Sequence, residues 1–268
     1  RLISFLDFCD KYNAERGVCY DNTTGNYLDD QKLTKALKNI VEMRNGKTID
    51  VILFDACLMG GLEIMYLCEP FAHYFIASQE VVLGPGYNYA TTLKRLHRKC
   101  SSDVFANHVV DTYAATYNYI TPDYCEAAIN LHYVKELTLA LDEFVKTILY
   151  FSKFDSNSLI KKMLIMCSSK EMCTHFDEPS YVDLKHFLDN ILEYAKKINI
   201  KDGDNNNFYD KISKNIFFVN NIIKRTVIKS VSGKNLSKAN GISIYIPKNN
   251  IHKEYYKTVF GRNSMWAI

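Results

Sequence analysis

Residues 49–61, Ile-Asp-Val-Ile-Leu-Phe-Asp-Ala-Cys-Leu-Met-Gly-Gly, decide the fold class of this chain. The first six, residues 49–54, form a short and nearly continuous apolar run rich in β-branched side chains, which is typical of a buried strand in a parallel sheet. Residues 58–68 then favour a helix. A buried strand that leads directly into a helix predicts an α/β protein.

The pattern on either side of this stretch continues the same alternation. An amphipathic helix is predicted before it, at residues 28–43, because its apolar side chains recur at helical spacing. After it come a strand at 73–78, helices at 91–98 and 103–117, a strand at 127–131 and a long helix at 134–151. Alternating strands and helices predict a mostly parallel sheet with helices on its faces.

The second half of the chain is less regular. It favours a helix at residues 181–198, a polar loop at 201–207, strand-like sequence at 217–230 and a strand at 241–247. We therefore expect two parts: residues 1–151, and an α/β C-terminal region, residues 152–268, that packs on the same sheet.

Composition excludes several classes of function. The 268 residues contain 33 Lys and Arg against 30 Asp and Glu, a net charge of +3, which argues against a nucleic-acid-binding protein built on a basic stripe. No apolar run approaches the ~18 residues of a membrane-spanning helix. The eight cysteines form no CxxC pair of the kind that binds zinc. The stretch Lys-Asp-Gly-Asp-Asn-Asn-Asn at 201–207 lacks the glycine and the glutamate that a calcium loop starting at Asp202 would need at positions 207 and 213.

The candidate chemistry lies directly after the predicted strand, at Asp55 and Cys57. Sites in open parallel sheets form beyond the carboxyl ends of the strands, and the start of the next helix would lower the pKa of a nearby thiol. Asp55 should face the same way as Cys57, and a carboxylate would raise a thiol pKa, so Asp55 is better suited to hold a cationic group of a substrate. The alternative for Cys57 is a packed, unreactive cysteine.

Three stretches of sequence together resemble the clostripain-like cysteine peptidases, which have a caspase-like fold. They are residues 49–61, Ala-Ser-Gln-Glu at 77–80, and Val-Val-Leu-Gly-Pro-Gly-Tyr-Asn-Tyr at 81–89. The resemblance extends to residues 17–21, 181–184 and 241–247, and to Trp266 near the end. It therefore covers most of the chain.

The resemblance implies a cysteine endopeptidase that cleaves after Arg or Lys. Cys57 would be the nucleophile that forms an acyl-enzyme, and its backbone N–H would help to bind the oxyanion. Asp55 would contact the basic side chain, and Ser78, Gln79 and Glu80 would line the substrate cleft. The family further implies peptide or protein substrates, autoprocessing and no organic cofactor. Calcium is possible, and we expect a monomer without a nucleic-acid or membrane partner.

The chain departs from the family pattern at the general base. The family carries a His, followed by Gly, at the end of a strand upstream of the nucleophile, whereas the first histidine here is His73, after Cys57. A strand and loop of roughly 15 residues are expected where Arg16 joins Gly17, and the first strands of the domain are expected before Arg1.

Three explanations of this missing segment stay open. Either the sequence is a composite of processed or ordered pieces, or the encoded protein lacks the segment, or another histidine acts as the base. If the base is absent, the alternative function is a catalytically inactive relative that serves as a binding module.

Overall fold

The computed structural model describes residues 18–21, 23–94, 96 and 100–268. Residues 1–17, which include the junction of Arg16 with Gly17, and His97 lie outside the described residues. Eight strands are described: β1 Val18–Asp21, β2 Asn26–Leu28, β3 Ile49–Leu53, β4 Ala72–Ala77, β5 Cys125–Asn130, β6 Tyr181–Asp183, β7 Val227–Ser232 and β8 Ser243–Tyr245. The described α-helices are α1 Asp30–Met43, α2 Leu62–Cys68, α3 Tyr89–Leu93, α4 Ser102–Tyr117, α5 Val134–Ser152, α6 Leu159–Cys167, α7 Leu184–Ala195, α8 Phe208–Thr226 and α9 Val259–Asn263.

The central sheet has the strand order β3-β4-β5-β7 and is flanked by helices, so the predicted α/β class is confirmed. β3 and β4 are parallel, with Ile49 beside Ala72 and Leu53 beside Ile76. β5 runs against both of its neighbours, so β3, β4 and β7 share one direction and β5 is reversed. The reversal arises because the chain leaves β4 at Ala77 and re-enters the sheet beside it, at Ala127. The alternation of strands and helices in the sequence does not predict that β5 lies next to β4 and runs in the opposite direction.

Alternate residues of the strands face two different layers. Phe75 and Ile129 belong to the larger core, to which α2, α5, α7 and α8 contribute. Ile76 and Ala128 face the opposite side and pack against α4 and Tyr87. Successive side chains of a strand point to opposite faces of the sheet, and apolar residues on both faces are expected where helices cover both sides.

Two predicted elements in the second half differ from the structure. Residues 181–198 begin with the short strand β6, which pairs with β8, before α7 starts at Leu184. Residues 217–226 belong to α8, and only Val227–Ser232 form a strand. The buried positions of α8 follow helical spacing, whereas Phe217 and Phe218 are exposed, and these two aromatic residues are what made the stretch resemble a strand.

Residues after 151 contribute to the same sheet. β7 pairs with β5, and α8 packs along α5. The division of the chain at residue 151 stays a prediction. Within the described ranges, no helix is both long enough and apolar enough to cross a membrane.

Candidate active site

The loop after β3 is held against the next strand by backbone contacts. Gly60 donates its N–H to the carbonyl of Ser78 at 2.7 Å and accepts from the N–H of Ser243 at 2.9 Å. A Cβ atom at position 60 would lie 2.8 Å from the backbone nitrogen of Gln79, so only glycine permits this approach. Leu58 has a φ of +61°, a left-handed conformation that is uncommon for a residue other than glycine. The backbone around Cys57 is therefore sharply bent and fixed on both sides.

This loop also displaces the helix that we expected to start beside the thiol. α2 begins at Leu62, not at residue 58, because Gly61 is extended and bridges to Ser243, and Gly60 is hydrogen-bonded to Ser78 and Ser243. The prediction that a helix N-terminus lowers the pKa of Cys57 is wrong. Burial of the half-buried thiol raises its pKa, and the negative charges of Asp177 and Glu80 raise it further.

The Cys57 thiol lies beside the segment that follows β4. Its S–H donates to the carbonyl of Val82 at 3.6 Å, and the next residue, Leu58, donates its N–H to the carbonyl of Glu80. The N–H of Leu58 is thus already hydrogen-bonded within the protein. The Cys57 N–H has no described backbone carbonyl as a partner, which is consistent with its expected place in an oxyanion hole.

Asp55 is exposed and is bordered by the loop at residues 84–89. The Tyr89 hydroxyl donates to Asp55 Oδ2 at 2.7 Å, and this hydrogen bond is the main cause that raises the pKa of Tyr89 to about 12. Gly86 has a φ of +59°, and a Cβ atom there would lie 2.8 Å from Asp55 Oδ2. No described residue donates to Asp55 Oδ1, so this oxygen is available to a cationic group.

Ser78 and Gln79 are buried rather than placed at an open surface. Gln79 donates to Asp183 Oδ2 at 3.1 Å and accepts from the N–H of Gly241 at 3.0 Å, which ties the end of β4 to the segment before β8. Ser78 Oγ accepts from the N–H of Glu80. These contacts within the protein favour a structural role for both side chains, and their contact with substrate stays a prediction.

Glu80 is half-buried and close to the thiol. Its Oε1 accepts from the N–H groups of Val81 at 2.7 Å and Asp177 at 3.2 Å, and burial raises its pKa. Asp177 is exposed, so two acidic residues, Glu80 and Asp177, lie close enough to Cys57 to raise the pKa of its thiol. The local field favours cations and opposes the thiolate.

None of the described histidines is hydrogen-bonded to Cys57. His73 lies near the start of β4, at the opposite end of the strand, and contacts Thr48. His175 is held between the carbonyls of Pro179 and Ser168, and His186 contacts Thr174. The other described histidines are His108, His132 and His252, whose hydrogen bonds are to other partners. In the described part of the chain, β3 has no strand on the side away from β4.

Two features of the described chain bear on calcium binding. No three acidic, His or Cys side chains among the described residues are grouped closely enough to hold a metal ion. In the 201–207 loop, the Asp202 carboxylate accepts instead from Asn206 and Tyr150. Dependence on calcium stays a prediction.

Comparison with known proteins identifies the family. The model of the clostripain family, Peptidase_C11, matches residues 7–267, which is nearly the whole chain. The chain belongs to the clostripain family. No curated protein matches it.

Solved structures show the same fold. A Bacteroides fragilis cysteine protease matches with a TM-score of 0.61 at 20% identity over 93% of this chain and 97% of that one. A clostripain from Bacteroides thetaiotaomicron, in complex with the peptide inhibitor BTN-VLTK-AOMK, gives 0.62 at 16% identity over 92% and 98%. An inactive zymogen C11 protease from Parabacteroides distasonis gives 0.58 at 14% identity over 98% and 74%. The expected caspase-like fold is therefore confirmed.

Two residues near the site were not predicted from the sequence: Asp177 and Glu126. The resemblance to the clostripain family already implies that the loop at residues 84–89, which contains Tyr89, borders the substrate cleft. Asp177 is about a hundred residues from Glu80 in sequence, and only the tertiary fold brings it there. Glu126 interrupts the apolar strand β5, and a charged residue inside a buried strand was an available signal.

Proposed function

We propose that this clostripain-family protein is a cysteine endopeptidase that cleaves after Arg or Lys, with Cys57 as nucleophile. The observation that carries the proposal is the placement of exposed Asp55, with its free Oδ1, two residues before a half-buried thiol at the end of a strand. The peptide of the inhibitor bound to the Bacteroides thetaiotaomicron clostripain, VLTK, ends in lysine, which supports a cationic side chain in the equivalent pocket.

In the proposed reaction, the Cys57 thiolate attacks the scissile carbonyl carbon and the peptide C–N bond breaks. The amine leaves after it takes up a proton, and a thioester joins the acyl part of the substrate to Sγ. Water then hydrolyses the thioester, which releases a carboxylate and restores the thiol. The Cys57 N–H donates to the oxyanion in both steps.

The raised thiol pKa means that this reaction needs a base or a cationic partner for Cys57. A strand that paired with the free side of β3, and ended in a histidine, would bring an imidazole to the same edge of the sheet as Cys57. We propose that the base is supplied in this way. The alternative, an inactive binding module, follows if no such strand exists.

The test is hydrolysis of peptide amides that carry Arg, Lys or the neutral Arg isostere citrulline before the reporter. We expect turnover of the Arg or Lys amide, none of the citrulline amide, and loss of turnover in Cys57→Ala. Chymotryptic mapping of the native protein should show no peptide that runs from Asn13 to Tyr20, and should show new peptides that contain His-Gly. A continuous peptide from Asn13 to Tyr20 together with no turnover would establish the inactive alternative.

Autoprocessing is proposed as part of this function. The similar Parabacteroides distasonis protein is an inactive zymogen, and a peptidase specific for basic residues would recognise sites such as Arg16 in its own chain. If so, Cys57→Ala should accumulate as one chain where the active protein is cleaved.

A further inference from the structure

Behind Asp55 lies a second carboxyl group that the reaction above does not use. Glu126, in the middle of the sheet on β5, is 1% exposed. Its Oε2 accepts from the Tyr87 hydroxyl at 2.6 Å, and its Oε1 accepts from the N–H of Ala127 at 3.3 Å. No Lys, Arg or His among the described residues is paired with it. A buried carboxyl without a cationic partner needs an explanation.

The contacts of Glu126 lead directly to the Asp55 pocket. Tyr87 belongs to the loop at residues 84–89, and its ring packs at 6.4 Å from that of Tyr89, which donates to Asp55. Gly86, directly before Tyr87, lies against the Asp55 carboxylate. Glu126 and Asp55 thus each accept a hydrogen bond from a tyrosine of the same short loop.

The groups that face Glu126 are phenols and acids. The loop contributes Tyr87, the helix α4 contributes Tyr113 and Tyr117, and the end of β3 contributes Asp55. Cys125 precedes it on its own strand, and Val231 is its partner on β7, where Lys229 is paired instead with Asp111. The neighbourhood therefore holds negative charge and no compensating cation among the described residues.

Burial raises the pKa of Glu126 to about 8, and the Asp55 charge contributes to the rise. A cation held by Asp55 would cancel that contribution and favour the ionised form of Glu126. The ionised form also gains stronger hydrogen bonds from Tyr87 and Ala127.

We propose that Glu126 is a specificity-determining residue of the Asp55 pocket: it becomes negatively charged when a basic side chain occupies the pocket, and so strengthens discrimination in favour of a charged substrate. The proposal rests on the proposed function of Asp55. Because the cation displaces a proton from Glu126, preference for a charged ligand should rise with pH and level off above about pH 8.

The experiment compares two peptides, with Arg or citrulline at the position before the scissile bond, binding to the full-length protein with Cys57→Ala. Changes with pH that affect both peptides equally cancel in the ratio of the two affinities. The Cys57→Ala substitution removes the titration of the thiol. We expect the ratio of the Arg affinity to the citrulline affinity to increase about threefold to tenfold from pH 6 to pH 9, because ionised Glu126 attracts the bound cation across part of the protein interior. Calorimetry at pH 8 in two buffers of different ionisation enthalpy should detect proton release with the Arg peptide alone.

Three variants separate the effect of Glu126 from the effects of other groups. Glu126→Gln keeps an oxygen acceptor for Tyr87 and should make the affinity ratio independent of pH. Tyr87→Phe removes a hydrogen bond that lowers the pKa of Glu126, so the rise should move to higher pH. Glu80→Gln removes the half-buried carboxyl beside the thiol and should leave the rise of the affinity ratio with pH in place.

A large but pH-independent ratio in the Cys57→Ala protein would overturn the role of Glu126 and leave the proposed function standing. A rise that disappears in Glu80→Gln and persists in Glu126→Gln would also overturn it. A ratio near one at every pH would overturn both, since Asp55 would then select no cation.

Discussion

The Asp55 side and the Cys57 side of the candidate site differ in how completely the described residues build them. Around Asp55, the Tyr89 hydroxyl and the backbone of Gly86 hold the carboxylate in place, and one oxygen is left for a ligand. Around Cys57, burial and two carboxylates raise the thiol pKa, and no described histidine contacts the sulfur. The proposed pocket for a basic side chain draws on Asp55, Gly86 and Tyr89, whereas none of the described residues supplies the base that the proposed reaction needs. Substrate recognition and thiol activation can therefore be tested separately.

The largest expected effect is that of Asp55→Asn, which removes the pocket charge and changes no atom of the thiol. We expect kcat/KM for Arg and Lys amides to fall about 100-fold, because a buried or half-buried ligand cation loses its partner. The rate at which iodoacetamide alkylates Cys57 should stay the same. Asp50 is an exposed acid on β3 that is paired with Arg44, so Asp50→Asn is the matched control and should change neither quantity. Equal losses in both variants would show that Asp55 is not the specificity residue.

Gly86→Ala should produce the next largest effect, because it disturbs the same pocket through the backbone. A methyl group there would meet the Asp55 carboxylate at under 3 Å, at a φ that side chains rarely adopt. We expect KM for an Arg amide to rise about tenfold with a smaller change in kcat, since the thiol is not touched. Gly84→Ala, in the same loop, places its methyl group in open space and should stay within about twofold of the unsubstituted protein. Similar KM values for the two variants would mean that the loop adapts and that its contact with Asp55 does not matter.

The two sides also differ in how well the sequence predicts them. Asp55 and Cys57 share a short stretch with one strong pattern, so the sequence places both of them directly after the end of β3. The surroundings of the thiol depend on contacts that no local pattern encodes: Asp177 reaches Glu80 from 97 residues away, and Gly60 bonds to both Ser78 and Ser243. The wrong prediction of a lowered thiol pKa has the same origin. Gly60 and Gly61 were assigned to a helix, although extended backbone there joins β4 to β8, and the start of α2 moves four residues away from where it was expected.

The smallest expected effect concerns the charge around the thiol. Glu80→Gln removes one of the two negative charges that raise the pKa of Cys57, and it keeps an oxygen that can accept from Val81 and Asp177. A lower thiol pKa means more thiolate at a given pH below it, so alkylation of Cys57 at pH 8 should become about threefold faster. The measurement is the rate of alkylation against pH, read by mass spectrometry of the Cys57 peptide, with exposed Cys19 as the internal control whose rate should not change.

The direction of that effect bears on the comparison between the two sides. If alkylation at pH 8 accelerates while the preference for Arg over citrulline amides is kept, Glu80 acts on the thiol and Asp55 alone supplies the contact to the cation. If alkylation is unchanged and the preference falls, Glu80 belongs to the pocket, where the resemblance to the clostripain family placed it. The half-buried carboxyl of Glu80 accepts hydrogen bonds from two backbone N–H groups, and either side of the site could use its charge. Its substitution therefore tells whether Glu80 lowers the reactivity of the thiol or contributes to recognition of the substrate.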